Sequence, residues 1–230
     1  MIEGNDDNIE ERFFKKKCLN EALKFLMNLA PDTMKHRGPG LYNYGNEPAD
    51  LSDMRFLKSE PIGYEIGASY WGEQKMNLNG QREAEGRGIF IDFDGNIREG
   101  WFKDDKMIGI GRHVSITGEV YIGPYFEGLR HGEKGKLRDS EGGVYKGDFE
   151  HDRRHGCGVY TSNQGERYEG EWKDDKKHGK GYLTFANGDA LTGDWIADNL
   201  QGTAICRYGN GQRSEKRIYR DGQIIQRTIL

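Results

Sequence analysis

The stretch Tyr145–Glu166, YKGDFEHDRRHGCGVYTSNQGE, is written again almost residue for residue as YEGEWKDDKKHGKGYLTFANGD at Tyr168–Asp189. The pattern recurs at a spacing of 23 residues with a single step of 24, and a self-similarity of that period means a stack of small units. A ring or its substitute falls at Phe102, Tyr125, Phe149, Trp172 and Trp195, with Ile218 at the final step. Two residues earlier stands a glycine (Gly100, Gly123, Gly147, Gly170, Gly193), and two before that Arg98, Tyr121, Tyr145, Tyr168 and Leu191. Further glycine columns run through Gly109, Gly132, Gly156, Gly179 and Gly202, and through Gly95, Gly118, Gly142, Gly165, Gly188 and Gly211.

Within a unit the residues alternate. In YEGEW, Tyr168 and Trp172 share one face while Glu169 and Glu171 take the other, as in a half-buried strand. KDDKK interrupts with an exposed charged turn, alternation resumes through Leu183 and Phe185, and Asn187-Gly188 signals a tight hairpin turn leading into the next unit. Each unit therefore reads as a two-stranded hairpin. The glycine between two aromatic positions leaves bare backbone on which a ring from the neighbouring unit lies flat. A lone hairpin cannot bury its apolar face, so the units must stack. The expected fold is an all-β repeat solenoid, a single-layer twisted antiparallel sheet of successive β-hairpins.

Composition agrees with rings as the packing material. A mean hydropathy of −0.90 with 31% charged residues would suit a disordered chain, but 11% aromatics and 34 glycines would not. The net charge of −4 is spread evenly: residues 1–60 carry nine basic and eleven acidic side chains, and the remainder 25 and 27. No basic stripe is set aside for nucleic acid, and an anionic membrane surface is disfavoured less strongly. Three cysteines without framework spacing (Cys18, Cys157, Cys206), the absence of an Asn-x-Ser/Thr acceptor, and the lack of a leader or apolar span lead to the expectation of a cytoplasmic protein.

The order Y-x-G-x-W/F, five residues, then H-G-x-G resembles the MORN repeat. Five clearer copies begin near Arg98, Tyr121, Tyr145, Tyr168 and Leu191 and occupy about 97–212; the resemblance covers roughly 60% of the chain. The first has Arg98 and Ile108 for ring and histidine, and the last has Leu191 and QGTA, departures typical of terminal units. A degenerate copy at about 68–96 starts from Tyr70 and holds an insertion of about five residues. SEKRIYRDGQII, in the segment 213–230, reads as a capping hairpin that closes the sheet's edge. The resemblance implies a non-catalytic scaffold that joins protein partners in a cytoskeletal assembly, notably the ciliary axoneme and its radial spokes. Its alternatives are a peripheral membrane or phosphoinositide-binding module, with Lys15–Lys17 or Lys173, Lys176 and Lys177 as the contacts, and an accessory subunit of an enzyme.

Residues 1–60 read differently. Ile9, Phe13, Leu19, Leu23, Leu26 and Ala30 recur near a helical period, Phe14 widens the face, Asn8 and Glu11 form a capping box, and Pro31 stops the run. An amphipathic helix at about 8–30 is expected, followed by an extended connector with Leu41, Tyr42 and Tyr44. Its apolar face would cap the first repeats, dock in a groove of another protein or, against the pull of Glu10, Glu11 and Glu21, enter a membrane.

No constellation for chemistry stands out. HDRRHGC brings His151, His155 and Cys157 together, but His155 fills a repeat column shared with His131 and His178. Asp104-Asp105 and Asp174-Asp175 lie in exposed turns where nothing raises a carboxyl pKa. No phosphate-binding, nucleophile-elbow or metalloprotease motif is present. No enzyme activity, metal or cofactor is expected. The expected partner-binding groove is Tyr121, Tyr125, Tyr145, Phe149, Tyr168, Trp172 and Trp195, and the expected docking helix is Phe13, Phe14, Leu19, Leu23 and Leu26.

Overall fold

The computed structural model describes residues 62–64 and 67–230. The expected N-terminal helix and connector lie outside the described residues. Sixteen strands among the described residues form one open antiparallel sheet, laid down almost entirely in chain order. A short β1 (Ile62–Gly63) pairs with β2 (Ser69–Met76), and the hairpins follow as β2 with β3 (Arg82–Ile91) and β4 (Ile97–Lys103) with β5 (Lys106–Val114). Then come β6 (Val120–Phe126) with β7 (Leu129–Arg130) and β8 (Gly132–Arg138), β9 (Val144–Glu150) with β10 (Arg153–Thr161), and β11 (Arg167–Lys173) with β12 (Lys176–Thr184). The last are β13 (Ala190–Ile196) with β14 (Asn199–Arg207) and β15 (Glu215–Arg220) with β16 (Gln223–Ile229).

The turns depart from expectation in one respect. The two-residue turns fall on the charged pairs, where both central residues have positive φ: Asp104 and Asp105 at 49° and 64°, Asp174 and Asp175 at 50° and 66°. Right-handed strand twist demands this geometry, and aspartate tolerates it. Asn187-Gly188 instead belongs to a three-residue loop, closed by the Gly188 N–H on the Phe185 carbonyl at 3.0 Å and the Phe185 N–H on that of Asp189 at 2.8 Å.

The glycines also act differently from the expected stacking. Gly147 and Gly158 face each other across β9 and β10, and a Cβ on Gly158 would sit 2.3 Å from the Tyr145 hydroxyl oxygen. Tyr145 thus lies over the glycines of its own unit, not those of a neighbour. Tyr168 does the same over Gly170 and Gly181, and Tyr70 over Gly72 and Gly88, which marks the degenerate copy as a full member of the array. The ring column ends at Tyr219, not Ile218. Gly202 pairs with Tyr219 in the register that joins Gly156 to Trp172 and Gly179 to Trp195, and Tyr219 is the buried one of the two.

Candidate partner-binding face

All seven rings expected to form a groove lie on one face of the sheet in a single cluster, and all are buried, from 0% exposed at Tyr121 to 7% at Tyr125. They meet edge to face in a zigzag. Tyr145 contacts Phe149 in its own unit at 5.2 Å between centroids and Trp172 in the next at 5.3 Å; Tyr168 repeats this with Trp172 at 5.2 Å and Trp195 at 5.5 Å. Each such pair contributes about 0.5–1.5 kcal/mol beyond the area it buries. The hydroxyls of Tyr145 and Tyr168 donate to the carbonyls of Asp148 and Glu171, both at 3.0 Å, and burial pushes both phenols above their ordinary pKa. The rings are thus mostly spent on one another, and what they leave accessible is their upper edge.

That edge is dressed by a column the sequence reading missed. Five residues after each ring of the second column stands Met107, Arg130, Arg154, Lys177, Leu200 or Ile224, paired across the hairpin with Phe102, Tyr125, Phe149, Trp172, Trp195 or Tyr219. The end members are apolar and the middle three cationic, and the cations lie on rings. Arg130 stands 5.5 Å from the centres of Tyr121 and Phe149, Arg154 4.5 Å from Trp172, and Lys177 5.4 and 5.1 Å from Tyr168 and Trp195. Each is also tied to the turn of the following unit. The Arg130, Arg154 and Lys177 backbone N–H groups donate to the carboxylates of Asp152, Asp175 and Asp198 at 2.9, 3.0 and 2.8 Å, and both arginine side chains reach the same aspartates. In return the Asp152, Asp175 and Asp198 N–H groups donate to the carbonyls of Arg130, Arg154 and Lys177. The constant offset from the ring was the available signal; the mixture of cation and aliphatic types at that offset concealed it.

Over Tyr168 and Trp172 the rim encloses a cavity of about 440 Å³. Five carboxylates line it (Asp139, Glu141, Glu166, Asp175, Asp198) against two cations, Arg154 and Lys177, both already engaged on rings. Tyr160 closes one side, its hydroxyl donating to Asp139 Oδ2 at 2.9 Å. The site is negative, shallow and aromatic-floored. On the opposite face, Lys134, Lys136 and Lys146 gather beside Cys157 and Asp148 around a second hollow of about 370 Å³.

The His151, His155 and Cys157 group is dispersed. His151 packs its ring on His131 at 5.0 Å, His155 Nδ1 lies 3.2 Å from a Glu150 carboxylate oxygen, and exposed Cys157 stands opposite Glu171 in the ladder. Among the described residues no set of three His, Cys, Asp or Glu side chains is placed to hold a metal ion. Lys177, expected at a lipid-facing turn, is drawn onto the rings, whereas Lys173 and Lys176 are exposed.

Repeating hairpins with ring, glycine and ring over a glycine floor define a β-repeat array. Three of its units, 145–167, 168–190 and 192–213, match the MORN repeat profile, and such repeats are generally non-catalytic contact modules for proteins or membranes. The chain is also similar to alsin of Homo sapiens and of Pan troglodytes, at 28% identity over 167 residues in each case, a match covering 63% of this chain and 10% of alsin. It therefore spans only about a tenth of the length of those relatives. Among solved structures it is similar to the SAS-4 (dCPAP) TCP domain of Drosophila melanogaster in complex with a proline-rich motif of Ana2 (dSTIL). That overlay has a TM-score of 0.35 and 14% identity, covering 69% of this chain and 88% of the other. The TCP10 domain of Danio rerio CPAP gives 0.28 and 13%, covering 74% and 100%.

Proposed function

We propose that this chain is a non-enzymatic adaptor that joins protein partners in a cytoplasmic, cytoskeletal assembly. The ciliary axoneme, for example a radial spoke, is the setting suggested by its resemblance to small MORN-repeat proteins. The observation that carries the reading is the cavity over Tyr168 and Trp172, where five carboxylates surround an aromatic floor whose two cations are already engaged. This charge pattern suits a protein segment bearing lysine or arginine with an apolar anchor, and it repels a phosphate headgroup. Accessory attachment to an enzyme complex is a variant of the same reading.

The membrane alternative has one observation in its favour, the lysines at Lys134, Lys136 and Lys146 on the other face. Charge reversal separates the two. Glu141→Lys with Glu166→Lys, both exposed positions, should weaken cosedimentation with isolated axonemes while leaving thermal stability unchanged. Undiminished cosedimentation would count against the adaptor reading. Flotation with acidic vesicles at low salt that is lost in Lys136→Glu with Lys146→Glu would replace it with the lipid reading.

A further inference from the structure

The sheet's two faces are unequally used. The ring column takes one. On the other, a row of cross-strand neighbours starts at Trp71, Ile89, Glu99 and Arg112, crosses β6 to β10, and ends through Glu169, Tyr182 and Thr192. Its late members are exposed, Tyr182 at 37%. Its early members are not: Trp71 and Arg112 are 6% exposed, Glu99 4% and Ile89 1%. Beside them Ile97 and Val114 form a second, separate apolar cluster with Ile89. Glu99 and Arg112 pair at 2.7 Å. A glutamate and an arginine on the open face of a single-layer sheet are not dried to this degree without a cover, since such residues are almost never buried except as pairs shut away from water.

We infer that the cover is the chain's own segment 8–30, docked through Ile9, Phe13, Leu19, Leu23 and Leu26 on the face opposite the ring column, across the first hairpins. Three observations select this occupant. Sixty-one residues precede Ile62, and they include an apolar face with a helical period. The chain enters the sheet at the buried end of the row, Ile62 pairing with Tyr70 and Gly63 with Ser69 on the strand that carries Trp71. Reach is ample: the patch from β2 to β5 is about 15 Å across, and the connector from Ala30 to Ile62 can extend several times that distance. The docked segment leaves the cavity over Tyr168 and Trp172 free. The two attachments are thus separate, and this inference does not depend on the proposed function.

The test uses the full chain with a photo-crosslinking residue, Trp101→p-benzoylphenylalanine, on the covered face, and Tyr182→p-benzoylphenylalanine as the uncovered control. The expected result is an intrachain link from position 101 to residues 9–30 and none from 182. A link between two chains at 101, or no link to that segment, overturns the inference. In parallel, Leu19→Asp with Leu23→Asp should speed amide hydrogen exchange of Ile89–Val114 by roughly tenfold or more while Tyr145–Leu191 keeps its protection. Unchanged exchange at Ile89–Val114, or acceleration spread evenly over the sheet, overturns it as well.

Discussion

Arg154 stacks its guanidinium 4.5 Å from the centre of Trp172, and the same group donates from Nε to the Asp175 carboxylate at 3.1 Å and from Nη2 to the Asp175 carbonyl at 2.8 Å. One side chain therefore seals the ring column and fastens the next turn. Arg154→Ala should lower unfolding free energy by about 2 kcal/mol, through lost charge-assisted hydrogen bonds and cation–π contact. Arg154→Lys should lose less, because Lys177 occupies the equivalent place one unit later. Urea midpoints of the three proteins check this order.

Gly158 is a packing glycine. A Cβ there would meet the Tyr145 ring and hydroxyl at 2.3–2.5 Å, too close for a flexible escape. Gly158→Ala should cost about 3 kcal/mol or more, at the upper end of overpacking penalties. Gly165, at φ 91° with nothing within 4 Å, is a turn glycine, and Gly165→Ala should cost only about 1 kcal/mol through backbone strain. Thermal melts that ranked the two the other way would contradict this division of roles.

Asp175 holds a positive φ of 66° and accepts the Arg154 N–H. Asp175→Gly keeps the conformation and loses the acceptor, which is how Gly128 and Gly222 already serve in their own turns at φ 84° and 76°. Its cost should be about 1 kcal/mol, whereas Asp175→Val, which forfeits both and forces a β-branched residue into the left-handed region, should cost at least twice that. Denaturant midpoints of both variants decide it.

His113 faces the ring side between Arg98 and Tyr121, and burial, with Arg98 and Arg130 nearby, pushes its pKa down from 6.5 to about 4. It stays neutral in the folded protein while the unfolded chain takes up a proton below pH 6.5. The unfolded state binds more protons, so stability should fall as pH drops from about 6.5 towards 4. His113→Leu should flatten that slope between pH 6.5 and 5, before carboxylates begin to titrate. An identical pH dependence of the denaturation midpoint in both proteins would refute the assignment.

The repeat made most of the architecture legible. Tyr145 and Tyr168 stand in phase with Phe149 and Trp172, and that phase sufficed for hairpins, sheet and ring face. What escaped did so for physical reasons. Tyr219 was passed over for Ile218 because the final step lengthens to 24 residues, which only the ladder opposite Gly202 reveals. Gly158 reads like any other glycine until Tyr145 is seen lying on it. Arg130, Arg154 and Lys177 look like solvated charges, since in sequence nothing shows that a cation is lying on a ring. The drying of Glu99 and Arg112 is invisible in principle, because alternation tells which residues share a face but not whether anything covers it.

Among the described residues, each two-residue turn from Asp105 onward is hooked to the unit before it. The Asp175 N–H donates to Arg154, Asp198 to Lys177, and Gly222 to Leu200. The ribbon consequently has a polarity, like roof tiles laid from one eave. Cutting out or duplicating one complete tile, such as 145–167, would leave every overlap intact and change only the length between the two ends, whereas removing half a tile would unseat all that lie beyond it.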